Sequence, residues 1–90
     1  MRIGIQGATL IEQATKQVDC GEYNGAWSTY CDFRDSLNEE DYEAEALRML
    51  EDAERAADMS FRTGAVGFES EMRTLLFVAG RLVERVESER

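Results

Sequence analysis

The sequence predicts an all-α protein, a compact four-helix domain whose second half is a long antiparallel helical hairpin. Three observations lead there. Apolar residues recur at three- and four-residue spacing along most of the chain. There is no proline, so breaks must come from glycine or polar caps, at Gly4/Gly7, Gly21, Asn38 and Gly64/Gly67. The long stretch after Asn38 is built from strong helix formers, with neither Gly nor Pro inside it. Ninety residues with 43% apolar content make one globular domain, residues 1–90, with a modest core.

The first helix is expected from Ala8 to Cys20, where Leu10, Ile11, Ala14 and Val18 share one side. Gly21 follows where a left-handed C-terminal cap belongs. A third helix is expected from Asn38, an N-cap, to about Met59. Glu39, Glu40 and Asp41 would fill its first turn, where the helix dipole favours acids. Tyr42, Ala46, Met49, Leu50, Ala53 and Ala57 would form its apolar stripe. Ser60 to Gly67 then reads as a connection. The fourth helix is expected from Phe68 to Ser88, with Phe68, Met72, Leu75, Leu76, Ala79, Leu82, Val83 and Val86 on one broad face.

Residues 18–33 admit two readings. Asn24-Gly25 between aromatic residues is a strong short hairpin signal. The flanks do not alternate as strands, however, whereas on a helix Tyr23, Ala26, Trp27, Tyr30, Phe33 and Leu37 fall on one face, so helix is preferred. The run from Gly21 to Tyr30 resembles the glycine turn and second-helix opening of a tetratricopeptide-type hairpin. That resemblance covers about 30 residues, does not repeat, and implies two packed helices.

The composition removes several kinds of chemistry. Histidine is absent, which takes away the commonest general base and transition-metal ligand. Two cysteines are too few for a zinc site or a disulfide scaffold. Cys20 and Cys31 are read as reduced, unbonded core residues of a cytoplasmic protein. The spacing of Asp32, Asp35 and Asn38 does not match a calcium loop. Arg62-Thr63-Gly64-Ala65-Val66-Gly67 lacks the pattern of a phosphate-binding loop. No enzyme activity, metal or cofactor is predicted. The net charge of −9 argues against direct contact with nucleic acid or an anionic membrane, and no apolar run or leader-like start suggests a membrane span or secretion.

The charge is unevenly placed. Residues 39–58 hold nine acids against Arg48 and Arg55, a net of −7, and the other seventy residues hold a net of −2. On one helix Glu40, Glu43, Glu51, Glu54 and Asp58 would line a ridge with Leu47 among them. The ridge is either a solvated face or a docking surface for a basic protein. Arg34 lies in the aromatic stripe of helix two. It either lays its stem on Trp27 or Tyr30 with its head in water, the preferred reading, or makes a buried ion pair with helix three. Phe77 points away from the apolar face of helix four, with Arg73 and Arg81 beside it, as an interface anchor with a polar rim would.

The leading expectation is a small protein-binding inhibitor or adaptor. Its acidic ridge would dock on the basic surface of a nucleic-acid-handling protein, and Phe77 would supply a further contact, including a homodimer contact. In size, charge and lack of catalytic parts the chain resembles phage-encoded antagonists of bacterial defence such as anti-CRISPR proteins. The alternatives are a structural homo-oligomer or subunit of an assembly, and a protein that sequesters a small ligand between its helices.

Overall fold

The computed structural model describes residues 3–64 and 67–88, and the side chains of 8–40, 42–64 and 67–84. It contains α1 (Ile3–Asp19), α2 (Tyr23–Ser36), a short 3₁₀ turn (Glu39–Asp41), α3 (Ala44–Thr63) and α4 (Phe68–Ser88). The all-α fold class and the α3–α4 hairpin are as the sequence predicts. The Met1 and Arg2 start, the Ala65–Val66 part of the last connection and the Val86 side chain lie outside the described residues.

The helices alternate up and down. Asp19 and Ile11 of α1 lie beside Arg73 and Gly80 of α4, so these two run antiparallel. Phe61 near the end of α3 meets Phe68 at the start of α4, while Ala46 and Met49 share a groove with Arg81 and Leu82. That pair is antiparallel too. The backbones of α2 and α3 stand farther apart than the other neighbouring pairs, and long side chains span the gap. The radius of gyration, 12.5 Å, is close to the ~12 Å expected of a compact chain this long.

The core is the set of apolar stripes turned inward. Ile11, Ala14 and Val18 come from α1, Ala26, Tyr30 and Phe33 from α2, and Leu50 and Ala57 from α3. The largest share comes from α4: Phe68, Met72, Leu75, Leu76, Ala79, Leu82 and Val83. Residues 23–36 are helical, as preferred. Gly25 has a use the hairpin reading missed. A Cβ there would sit 2.8 Å from Nε2 of Gln17, so the glycine is where α2 passes close over α1. Gln17 is fixed in turn, because Oγ1 of buried Thr29 donates to its Oε1 at 2.7 Å.

Several boundaries differ from the sequence expectation. Helix α1 runs through Gly4 and Gly7; interior glycine weakens a helix by about 1 kcal/mol relative to alanine without ending it. Gly21 does take the left-handed conformation, φ 78°. Asn38 caps the 3₁₀ turn rather than α3, its side chain accepting from the Glu40 N–H at 3.2 Å. Tyr42 and Glu43 are then extended, and α3 starts at Ala44. This arrangement keeps Glu39 and Glu40 from stacking on Glu43 at helical spacing, where like charges repel. At the other end α3 continues past Met59 to Thr63 and stops at Gly64, φ 66°. The added turn carries Phe61, whose ring stacks on Trp27 with centroids 5.7 Å apart. Cys20 is exposed rather than in the core, Cys31 is half-buried, and both are free thiols.

Leu75 is fully buried at the centre of α4. Leu75→Ala should therefore lower stability by about 2–5 kcal/mol, read as an earlier midpoint in urea with the helical circular dichroism at low denaturant retained.

Candidate functional site

The acidic residues of α3 do not form a free outward ridge. Spacing places Leu47, Glu51, Glu54 and Asp58 together on the flank of α3 that turns toward α2. There Arg34 reaches across the gap. Its guanidinium lies 3.0 Å from Glu39, 3.5 Å from Glu51 and 3.3 Å from Glu54. Only 20% of the Arg34 side chain is exposed, so the ion-pair reading replaces the preferred one of a solvated head. Burial works against the guanidinium charge, but the Glu39 hydrogen bond and the Glu54 charge outweigh it and hold the proton more firmly than usual. Tyr30 completes the network by donating its hydroxyl to Glu54 at 2.8 Å. Burial first, and this bond second, push the Tyr30 phenol far above its ordinary range.

Half-buried Cys31 lies in the same seam. Burial raises its thiol pKa, and the charges of Glu54, Asp35, Asp32 and Asp58 raise it further, so the reactive thiolate is disfavoured. Among the described residues no three Cys, Asp or Glu side chains converge as metal ligands.

The sequence-selected acids thus fall into two groups. Glu54 and Asp58 are half-buried and engaged, Glu54 by Tyr30 and Arg34, Asp58 by Arg62 at 3.1 Å. Glu51 touches Arg34 yet stays 53% exposed. Glu40 lies on the 3₁₀ turn, off the helix, and Glu43 precedes α3; both are exposed. Leu47 is half-buried among them.

The opposite flank of α3 faces α4 and is apolar. Phe77 is 66% exposed, as its position predicts, and Arg81 lies over its ring at 5.8 Å. Met49 is 60% exposed, which corrects its assignment to the core stripe. It sits at the edge of that stripe, beside polar Glu45 and Asp52. Met49 and Phe77 border a groove of about 310 Å³ floored by Ala46, Val78 and Leu82. Arg73 is turned the other way, toward α1, pairing with Asp19 at 2.8 Å and Glu69 at 3.1 Å. At the end of the bundle an open hollow of about 510 Å³ lies between Tyr23, Phe61, Phe68 and Glu69. The Tyr23 hydroxyl donates to Glu69 at its rim.

The class these features define is an up-down-up-down four-helix domain with an acidic seam on one flank of α3 and an apolar groove on the other. No family model matches the chain, and no curated protein or solved structure compared with it is similar. No described helix is long and apolar enough to cross a membrane.

Two predictions follow from the Arg34 network. The sequence alone suggests that reversing Glu51 and Glu54 to lysine spares the fold, and the structure separates the two. Glu54→Lys removes an acceptor from buried Tyr30 and sets a cation against Arg34, lowering stability by about 1–3 kcal/mol. Glu51→Lys breaks only an exposed pair and should change stability by less than about 1 kcal/mol. Chemical denaturation of the two single variants measures the contrast.

The second concerns alkali. The folded state favours neutral Tyr30, so this contribution is complete below the ordinary phenol value of 10.0. It is lost as pH rises above that value, because the unfolded chain then releases a proton that the folded chain keeps. An ultraviolet phenolate titration should show one tyrosine ionising only as helical signal disappears, and Tyr30→Phe should remove that step.

Proposed function

We propose that this chain is a protein-binding inhibitor or adaptor whose acidic face docks on the basic surface of a nucleic-acid-handling protein. One observation carries the reading: among the described residues, the negative charge around α3 exceeds that of the arginines that pair with it. Even after Arg34 and Arg62 reach in from outside, residues 39–58 have nine acids against four arginines, a net of −5. Glu40, Glu43 and Glu51 stay exposed within that field. A partner with Lys and Arg at matching spacing gains long-range attraction and fast association from it. An anti-CRISPR-like phage antagonist working in the cytoplasm is the sharpest form of the proposal, supported by likeness of size and charge.

A second reading, a structural homo-oligomer, is favoured by the apolar groove beside Phe77.

The test is to capture a partner from bacterial lysate at low salt, purify it, and titrate it with wild type and with Glu40→Gln/Glu43→Gln/Glu51→Gln. These substitutions leave Glu54 and Tyr30 intact, so the fold should hold. The triple variant should bind roughly tenfold or more weakly, and wild-type association should slow as salt shortens the screening length below about 8 Å. Equal binding by wild type and variant would make the acidic face a solvated surface only.

A further inference from the structure

We infer that the domain opens like a book: α1 and α4 form the spine, and the α2–α3 edge parts when Arg34 releases its carboxylates. This inference does not depend on the acidic face having a partner. Packing is close within each hairpin, α1 on α2 and α3 on α4, and again between α1 and α4. In that last contact Gly80 lies beside Ile11, and Arg73 pairs with Asp19. Closely packed helices move as one body. Between α2 and α3 the backbones approach least, and the tie is made by long side chains. The Trp27 ring stacks on Phe61, the Tyr30 hydroxyl donates to Glu54, and the Arg34 guanidinium meets Glu39, Glu51 and Glu54.

Arg34 is the latch on this edge. It stands on α2 and holds two elements beyond it, the 3₁₀ turn through Glu39 and α3 through Glu51 and Glu54. Glu39 and Glu51 are more than half exposed, so water can replace the guanidinium at both. Solvation regained on opening then offsets much of the attraction lost. Tyr30 and Phe33 are fully buried beneath, and their burial keeps the open form a minor state. Residues 37–43 join the two parting helices, with Leu37, Asn38 and Tyr42 extended. Such backbone absorbs a small change of angle without unwinding either helix. Trp27 and Cys31 lie one turn apart on the α2 face that looks toward α3. Trp27 rests on Phe61, and Cys31 feels the charges of Glu54 and Asp58. Both gain access to solvent when the edge parts.

Two probes on the full chain test this. Trp27 is the only tryptophan, so acrylamide quenching of its fluorescence reads the edge directly. Alkylation of Cys31 by iodoacetamide, with exposed Cys20 changed to serine so that one thiol reacts, reads it a second way. Arg34→Met should raise the quenching constant about twofold and the alkylation rate roughly fivefold or more, with helical circular dichroism retained. Loss of a nearby cation by itself disfavours the thiolate, so a faster reaction reports access and not charge. Arg62→Met breaks a pair confined to α3 and should change neither reading. Because the helices swing intact, amide hydrogen exchange within α2 should not accelerate in step with Cys31. Should Arg34→Met lose helical signal, Glu39→Gln/Glu51→Gln spares the Tyr30–Glu54 bond and gives the same test through Trp27 quenching. Quenching and alkylation unchanged from wild type overturn the inference. So does an equal response to Arg62→Met, which makes the effect one of general charge. Exchange in α2 that keeps pace with Cys31 also overturns it, replacing the hinge by local unfolding of α2. No partner is present in these measurements, so the docking proposal stands or falls separately.

Discussion

The uninterrupted apolar face of α4 is the constraint that orders the other elements. From Phe68 to Val83 it has a buried residue at nearly every position that turns inward, and α1 and α3 both pack on it. The two docking helices meet it with small residues where approach is closest. Ala14 of α1 and Ala57 of α3 are fully buried, and Gly80 of α4 lies beside Ile11. Short side chains let backbones come near, and near backbones exclude water from the apolar area that drives folding. Helix α2 joins mainly through its hairpin with α1, with Gly25 over Gln17. The gap between α2 and α3 is consequently the one that close packing does not settle.

That side is held by long side chains with polar ends. Trp27 stacks between Tyr30 and Phe61, with centroids 5.6 and 5.7 Å away. Just outside them lies the Tyr30–Glu54–Arg34 network. The order follows from solvation. Rings fill the inner part of a wide gap, and charged groups that could not be buried alone stay at its mouth, each with a partner. A lone Arg34 or Glu54 there would be destabilising; together with Tyr30 each meets its hydrogen-bonding needs, and no buried side-chain polar atom among the described residues lacks a partner. The network sets the relation of α2 to α3 more by its geometry than by net energy, since partly buried ion pairs return little beyond their desolvation.

Helical period was the most legible property of the sequence, because it states which side of each element is buried. It located the α4 face and the one-sided placement of Tyr30 and Phe33, and it put Phe77 outside. It could not show what stands opposite a given flank, and the misreadings come from there. Glu54 looks like a surface acid on any projection of α3, and only the position of α2 turns it into a partner for Tyr30. Met49 and Leu50 are neighbours in one stripe, yet Leu50 faces α4 squarely while Met49 falls past its edge. Asn24-Gly25 carried a local turn preference that helix packing overrode, with Gly25 lying against the Gln17 side chain. Ending α3 near Met59 leaves Phe61 in the connection, although Gly64 marks the stop. For the candidate site, the exposure of Phe77 and the excess of charge around α3 were readable. The division of that charge between internal pairs and open surface was not, since it depends on Arg34 from another helix.

This division gives α3 its distinctive place. One flank is rich in carboxylates and looks across the wide gap to α2. The other carries Ala46 and Ala53 toward α4 and leaves Met49 at the rim. A helix amphipathic in only one direction could close a bundle but would have a single exposed character. Here the polar part of α3 is itself split, with excess negative charge toward α2 and balanced charge toward α4. Charge on the first flank is screened by salt, and the apolar area on the second is not. A substitution at Glu43 or Met49 therefore perturbs one surface with little effect on the other, because neither side chain belongs to the core that joins them. In a domain of ninety residues, placing the acidic flank and the exposed apolar edge on α3 leaves the apolar face of α4 free to hold the fold.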